Sequence, residues 1–189
     1  MSIMERKEAF ELLKTEVKSE SLIKHCLAVE ASMRWYSAYF DEPLELWGQC
    51  GLLHDIDFEK YPEEHPLMAL DLLRSHGYDE AFVTAVKGHG DHTNTPRETS
   101  MAKTLFAVDE LSSFVVAVAL VRPDKFVGLA SKSVKKKLKD KAFARAVSRE
   151  DIAKGSEELG VDLTEHIDHV IQALSEREAE LNKEGLSLL

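Results

Sequence analysis

The sequence predicts an all-α protein, a helical bundle built as one domain with additional C-terminal helices. Three observations carry that prediction. Apolar residues recur every three or four positions almost throughout, and no stretch alternates as a half-buried strand does. The chain has 189 residues, 44% hydrophobic and 31% charged, which is enough to bury one core and excludes disorder and collagen-like repeats. No internal repeat or low-complexity linker divides it.

The elements follow in order. A first helix is expected over 4–18. A second begins at Ser19 or Ser21, whose hydroxyls suit a helix start, and runs to Phe40. Asp41-Glu42-Pro43 breaks the chain, and Pro43 opens a third helix through Leu46, Trp47, Cys50, Leu52 and Leu53. A loop covers 57–66, then short helices occupy 66–75, stopped by Gly77, and 79–88. Gly88 to Pro96 is all turn chemistry. Between Pro96 and Pro123 there is no glycine or proline, so one long helix is expected over 98–121. Short helices are expected at 123–128, 131–146 and 149–159. A last helix, 163–183, should pack Leu163, Ile167, Val170, Leu174 and Leu181 back on the body.

The net charge of −10 hides a split. Ten basic residues between Arg122 and Arg149 stand against Asp124 and Asp140, a local charge of +8, so the other 161 residues carry −18. An acidic body with one basic stretch argues against DNA binding, which needs a broad positive face, and suits a small anionic ligand better. The longest unbroken apolar run, Phe114 to Val121, is eight residues and far short of a membrane span. The N-terminal residues show no apolar signal segment. Cys26 and Cys50 cannot build a disulfide framework and read as small core residues. The expected compartment is the cytoplasm.

Ionisable residues interrupt three apolar stripes. His25 shares a helix face with Leu22 and Val29, and His54-Asp55 ends the run Cys50-Gly51-Leu52-Leu53. Asp109 lies on the stripe of Ala102, Leu105, Ser112, Val116 and Ala119 in the most hydrophobic helix. A buried carboxylate needs a partner. A metal ion resolves that cost, because imidazole and carboxylate are the ligands divalent transition metals accept. Each residue alone is more often a hydrogen-bonded core group, so the order of the set is the informative feature.

That order resembles a family. His25, then Leu52-Leu53-His54-Asp55, then Ala107-Val108-Asp109-Glu110-Leu111 look like the signature of the HD-domain metal-dependent phosphohydrolase superfamily. The resemblance covers about residues 20–120 and leaves 121–189 as a basic and helical extension. It implies that His25, His54, Asp55 and Asp109 meet on one divalent metal. Two further segments resemble a two-metal subset: His65-Pro66-Leu67-Met68-Ala69-Leu70, and Ala85-Val86-Lys87-Gly88-His89. They imply that Asp55 bridges two metals with His65 and His89 on the second, and that His92 is a substrate contact or extra ligand. For His76, His166 and His169 the structural reading is preferred. Many members read His-Asp-x-Gly-Lys, whereas this chain reads His54-Asp55-Ile56-Asp57-Phe58-Glu59-Lys60. Phosphate contact is then expected from Lys60, Lys87, Arg122, Lys125 or the basic stretch. Asp57 is either an acceptor that orients a ligand histidine or a turn residue, and the turn is preferred.

The resemblance implies hydrolysis of a nucleotide or other small phosphate ester by a metal-bound hydroxide, with Asp55 and His92 as catalytic residues. The expected cofactor is manganese, iron, cobalt, nickel, zinc or magnesium, one or two per chain. The alternatives are a di-iron oxygenase on the same ligands and a non-catalytic module that binds a nucleotide or protein partner. Oligomeric state stays open, with a homodimer contact through the last helix and the basic segment as one option.

Overall fold

Polar side chains punctuate the helices where the sequence places them. Ser19, Asp79, Thr99, Ser148 and Asp162 each precede a helix, and each accepts a backbone N–H from its first turn. A computed structural model describes residues 2–189. Among them lie nine helices and no strand: α1 (Arg6–Glu16), α2 (Glu20–Tyr39), α3 (Leu44–Leu53), α4 (Leu67–Ser75), α5 (Glu80–Gly88), α6 (Ser100–Leu120), α7 (Ser131–Leu138), α8 (Arg149–Leu159) and α9 (Leu163–Lys183). A single 3-10 turn, Asp91–Thr93, sits in the loop after α5. Among the described residues no helix is long and apolar enough to cross a membrane.

One hydrophobic cluster runs from Ala9 in α1 to Leu188 beyond α9. The long helices α2 and α6 form its centre, with α3 and α9 packed on α2 and α8 packed on α6. Ile167, Val170, Leu174 and Leu181 of α9 are buried as their spacing requires, with Leu163 partly so. Cys26 and Cys50 are free and buried.

Two glycines allow the closest helix crossings. A methyl group on Gly51 would lie 2.7 Å from the Val29 carbonyl oxygen and 2.9 Å from the Glu30 Cα, so α3 touches α2 backbone to backbone. Gly155 likewise lets α8 meet α6, where a methyl group would lie 2.7 Å from the Ala107 Cα. Beside the first crossing Glu30 is fully buried and accepts from Arg6 at 2.8 and 3.0 Å and from Arg34 at 3.0 Å. Arg34 continues to Glu45, so one charge network ties α1, α2 and α3 together.

Two expected helices differ. Residues 123–128 form turns, with Lys125 and Gly128 at positive φ. The expected 131–146 helix stops at Leu138. Beyond it the Arg149 guanidinium donates to the carbonyls of Asp140, Phe143, Ala144 and Val147 and so satisfies backbone acceptors of the non-helical 140–147 segment. Ala144 sits at φ 45°, which ends helical geometry there.

Gly51→Ala should therefore push α3 from α2 and lower stability by about 2 kcal/mol, the usual cost of overpacking. Thermal unfolding measures this, and an unchanged midpoint would contradict the close crossing.

Candidate metal centre

Five segments converge on the middle of α6, where Asp109 lies. α2 carries His25, and His54 caps the C-terminus of α3 with Asp55 just after it. Tight turns return the chain through His65, His89 caps the C-terminus of α5, and α6 presents Asp109. The return is short because Tyr61 N–H donates to the Asp57 carbonyl and His65 N–H to the Tyr61 carbonyl, folding 57–65 on itself.

Each histidine is oriented through its Nδ1. That of His54 donates to the Gly51 carbonyl at 2.7 Å, and that of His89 to the Val86 carbonyl at 2.5 Å. His65 donates its own to Asp57 Oδ1 at 2.6 Å. Carbonyls and carboxylates only accept, so in each of these three imidazoles Nδ1 carries a proton and Nε2 faces inward. His25 Nδ1 shares a 2.7 Å hydrogen bond with Ser113 Oγ.

The Nε2 atoms meet one another and the carboxylates. His25 and His54 are 3.2 Å apart through these atoms, and each lies 3.0–3.1 Å from Asp109 Oδ1 and 3.3 Å from Asp55 Oδ2. On the other side of Asp55, His65 and His89 are 3.1 Å apart and lie 3.1 and 3.3 Å from Oδ1. Facing lone pairs at such distances repel unless a cation stands between them. Two ligands each about 2.1 Å from one ion, at angles of 90–109°, are about 3.0–3.4 Å apart, which matches both sets. The buried group His25, His54, Asp55 and Asp109 can thus hold a metal ion, and Asp55, His65 and His89 form a second such group.

Without a metal, protons compensate. Burial alone would lower the pKa of His25, but Asp109 and Asp55 outweigh it and raise it to about 9. Burial is likewise outweighed at His65, where Asp55 and Asp57 raise the pKa to about 9. Burial would raise both carboxyls, yet the histidines hold Asp55 and Asp109 well below the usual carboxylate range.

The cleft over this centre has a volume of about 420 Å³. Beyond the ligands its wall carries Phe58, Phe106, Ser113 and the carboxyls of Asp91, Glu110 and Asp151. Burial, helped by Asp109, raises Glu110 to about 7. Asp91 is paired with Arg97 and Lys154. Arg97 also donates to the Gly88 carbonyl and grips Glu158 through two bonds, which fastens the His89–Pro96 loop to α8.

His25, His54, Asp55, His65, His89 and Asp109 thus come together as the resemblance implies. His92 lies on the rim, exposed, with Nε2 donating to the His65 carbonyl at 2.9 Å. The phosphate contacts do not follow, and no lysine or arginine side chain lines the cleft among the described residues. Arg122 is thirteen residues, roughly 20 Å along the helix axis, past Asp109. It donates to the Val127 carbonyl, and Lys125 donates to the Leu120 carbonyl. Lys87 precedes His89 by two residues, roughly 200° around the helix. Lys60 pairs with Glu16 at 2.5 Å. In the basic stretch Lys132, Lys135, Lys136 and Lys139 line a separate surface hollow.

The preference for Asp57 as a turn residue is also corrected. Asp57 is buried, and while Oδ1 holds His65, Oδ2 accepts the Ala69 N–H at 3.2 Å. Ser113 escaped notice, although it stands four residues after Asp109 on the same helix face and so was open to detection. His166 is structural as read: Nε2 donates to the Ala107 carbonyl, Nδ1 accepts from the Tyr36 hydroxyl, and burial lowers its pKa to about 4.

Comparison with protein-family models, curated proteins and solved structures finds no match to this chain.

A metal must displace protons from His25 and His65, so its apparent affinity should rise with pH between about 7 and 9, by about tenfold per displaced proton per unit. Competition titration with a metal indicator measures this, and a flat profile would contradict the proton-filled centre. Asp57→Ala should weaken metal binding by about tenfold or more, the usual cost of losing a ligand's orienting partner. Unchanged affinity would contradict its orienting role.

Proposed function

We propose that this protein is a two-metal phosphohydrolase that cleaves a small phosphate ester. The observation that carries this reading is the orientation of Asp55, whose Oδ2 faces His25 and His54 while its Oδ1 faces His65 and His89. A carboxylate placed so would bridge two ions. The resemblance to HD-domain enzymes is the reason for choosing phosphoryl transfer.

His25, His54, Asp55 and Asp109 would hold one ion, and Asp55, His65 and His89 the other. When bound, two divalent ions lower the pKa of a coordinated water towards about 7 and neutralise charge on a phosphoryl group. The chain supplies orientation. Ser113, Asp57 and the Gly51 and Val86 carbonyls keep each imidazole aimed inward. Phe58 packs edge-on against His65, with ring centres 5.2 Å apart, and lines the cleft. His92, which lines the rim of the cleft, would meet the substrate.

One observation favours a second reading, a di-iron oxygenase on the same six ligands. The cleft wall bears Glu110 and Asp151 and no lysine or arginine among the described residues, so a phosphate there would meet carboxylates. Metal-loaded protein assayed on a panel of phosphate mono- and diesters separates the two. Hydrolysis that stops with chelator, and falls at least a thousandfold in Asp55→Ala with helicity retained, is expected. No release from any ester, with oxygen uptake by anaerobically purified iron-loaded protein, would replace the hydrolase with the oxygenase.

A further inference from the structure

We propose that a small apolar hollow beside His25 binds the non-phosphate half of the substrate, an apolar alcohol or phenol of one or two rings. This rests on the hydrolase reading above. The cavity has a volume of about 250 Å³ and is walled by Ala28 of α2, Val116 and Leu120 of α6, and Leu188 and Leu189. It adjoins the metal cleft along two residues that line both, His25 and Ser113. His25 and Ser113, both partly exposed, form the rim that the two hollows share, with His25 Nε2 in the metal group and Nδ1 on Ser113. A group held in this cavity therefore lies beside the centre that would act on its ester.

Size and chemistry select the occupant. An apolar protein cavity of about 150 Å³ accepts benzene, so 250 Å³ suits a larger ring system. The polar groups on the wall are already engaged. Ser113 is bonded to His25, and Ser21 Oγ to Ser19 Oγ at 3.0 Å. Lys24 Nζ donates to the Leu189 carbonyl at 2.6 Å and lies 3.2 Å from Glu20. A sugar or a base edge would exchange several hydrogen bonds to water for few on this wall, whereas an apolar ring loses none. The carboxyls of Glu110 and Asp151 on the adjoining cleft disfavour a second anionic group, so nucleoside polyphosphates fit poorly. In the reaction a water oxygen bonds to phosphorus as the P–O bond to the alcohol breaks. The alcohol oxygen takes a proton, leaving inorganic phosphate and free alcohol.

The test compares 2-naphthylmethyl phosphate with methyl phosphate, whose leaving alcohols are of similar acidity, on metal-loaded wild type and on Val116→Phe and Leu120→Asp, with metal content and melting matched. Leu120 is half exposed, so its variant should fold. The expected wild-type kcat/KM ratio favours the naphthylmethyl ester at least tenfold. In both variants that ratio should fall at least fivefold, mainly through KM. Equal use of the two esters by wild type, or a ratio unmoved in the variants, would overturn the proposal. Binding of 2-naphthol, followed by its own fluorescence, is read separately from turnover. Saturable binding weakened in both variants supports the cavity even where neither ester is hydrolysed, an outcome that would count against the hydrolase reading alone. Absence of saturable binding by wild type overturns the cavity assignment.

Discussion

A single buried carboxylate with each oxygen committed to a different pair of imidazoles is the constraint on which this molecule depends. Asp55 is almost fully buried, and an anion in that position is tolerated only beside positive charge. Its neighbours are four imidazoles whose Nε2 atoms point at it and at each other, plus a second, partly buried carboxylate, Asp109. Protons or metal ions must complete such a set, and the folded chain holds the set in place.

The chain uses one local device twice. His54 and His89 each cap a helix C-terminus, and each folds Nδ1 back onto the carbonyl three residues earlier. That bond satisfies a carbonyl the helix end leaves without an intrahelical donor, and it also aims Nε2 at the centre. The other two histidines need longer-range support, His65 from Asp57 and His25 from Ser113 on α6. Gly51 then matters twice over, since it lets α3 approach α2 and lends its carbonyl to His54. Arg97 does comparable work for the loop beyond His89 by tying it to α8.

Much of this was legible in the sequence because helix periodicity and caps are local. The starts at Ser19, Asp79 and Thr99, the long uninterrupted α6 and the stripe of α9 all follow from short-range rules. The six candidate ligands were legible because histidine and aspartate on apolar faces stand out. What failed was long-range. Arg149 reaching back to four carbonyls, which supports the turns that stand in place of the end of the helix expected over 131–146, leaves no periodic trace. Asp57 read as a turn residue because its partners, His65 and the Ala69 N–H, are eight and twelve residues away. The phosphate-binding lysines and arginines failed for the same reason: closeness in sequence to a ligand-bearing helix does not fix which end or face of it a side chain occupies.

The charge pattern takes a different meaning in three dimensions. The basic stretch after α6 sits in its own surface hollow, away from the cleft, and the cleft wall is acidic. Positive charge at the reacting centre would then come from bound metal, which makes metal occupancy the central claim. The most direct measurement is crystallography of manganese- or iron-loaded protein at the metal absorption edge. Two anomalous peaks per chain, one on each side of Asp55, are predicted, with His25, His54 and Asp109 around one and His65 and His89 around the other. A single peak, or two peaks that share no oxygen of Asp55, would contradict the bridging carboxylate and the account built on it.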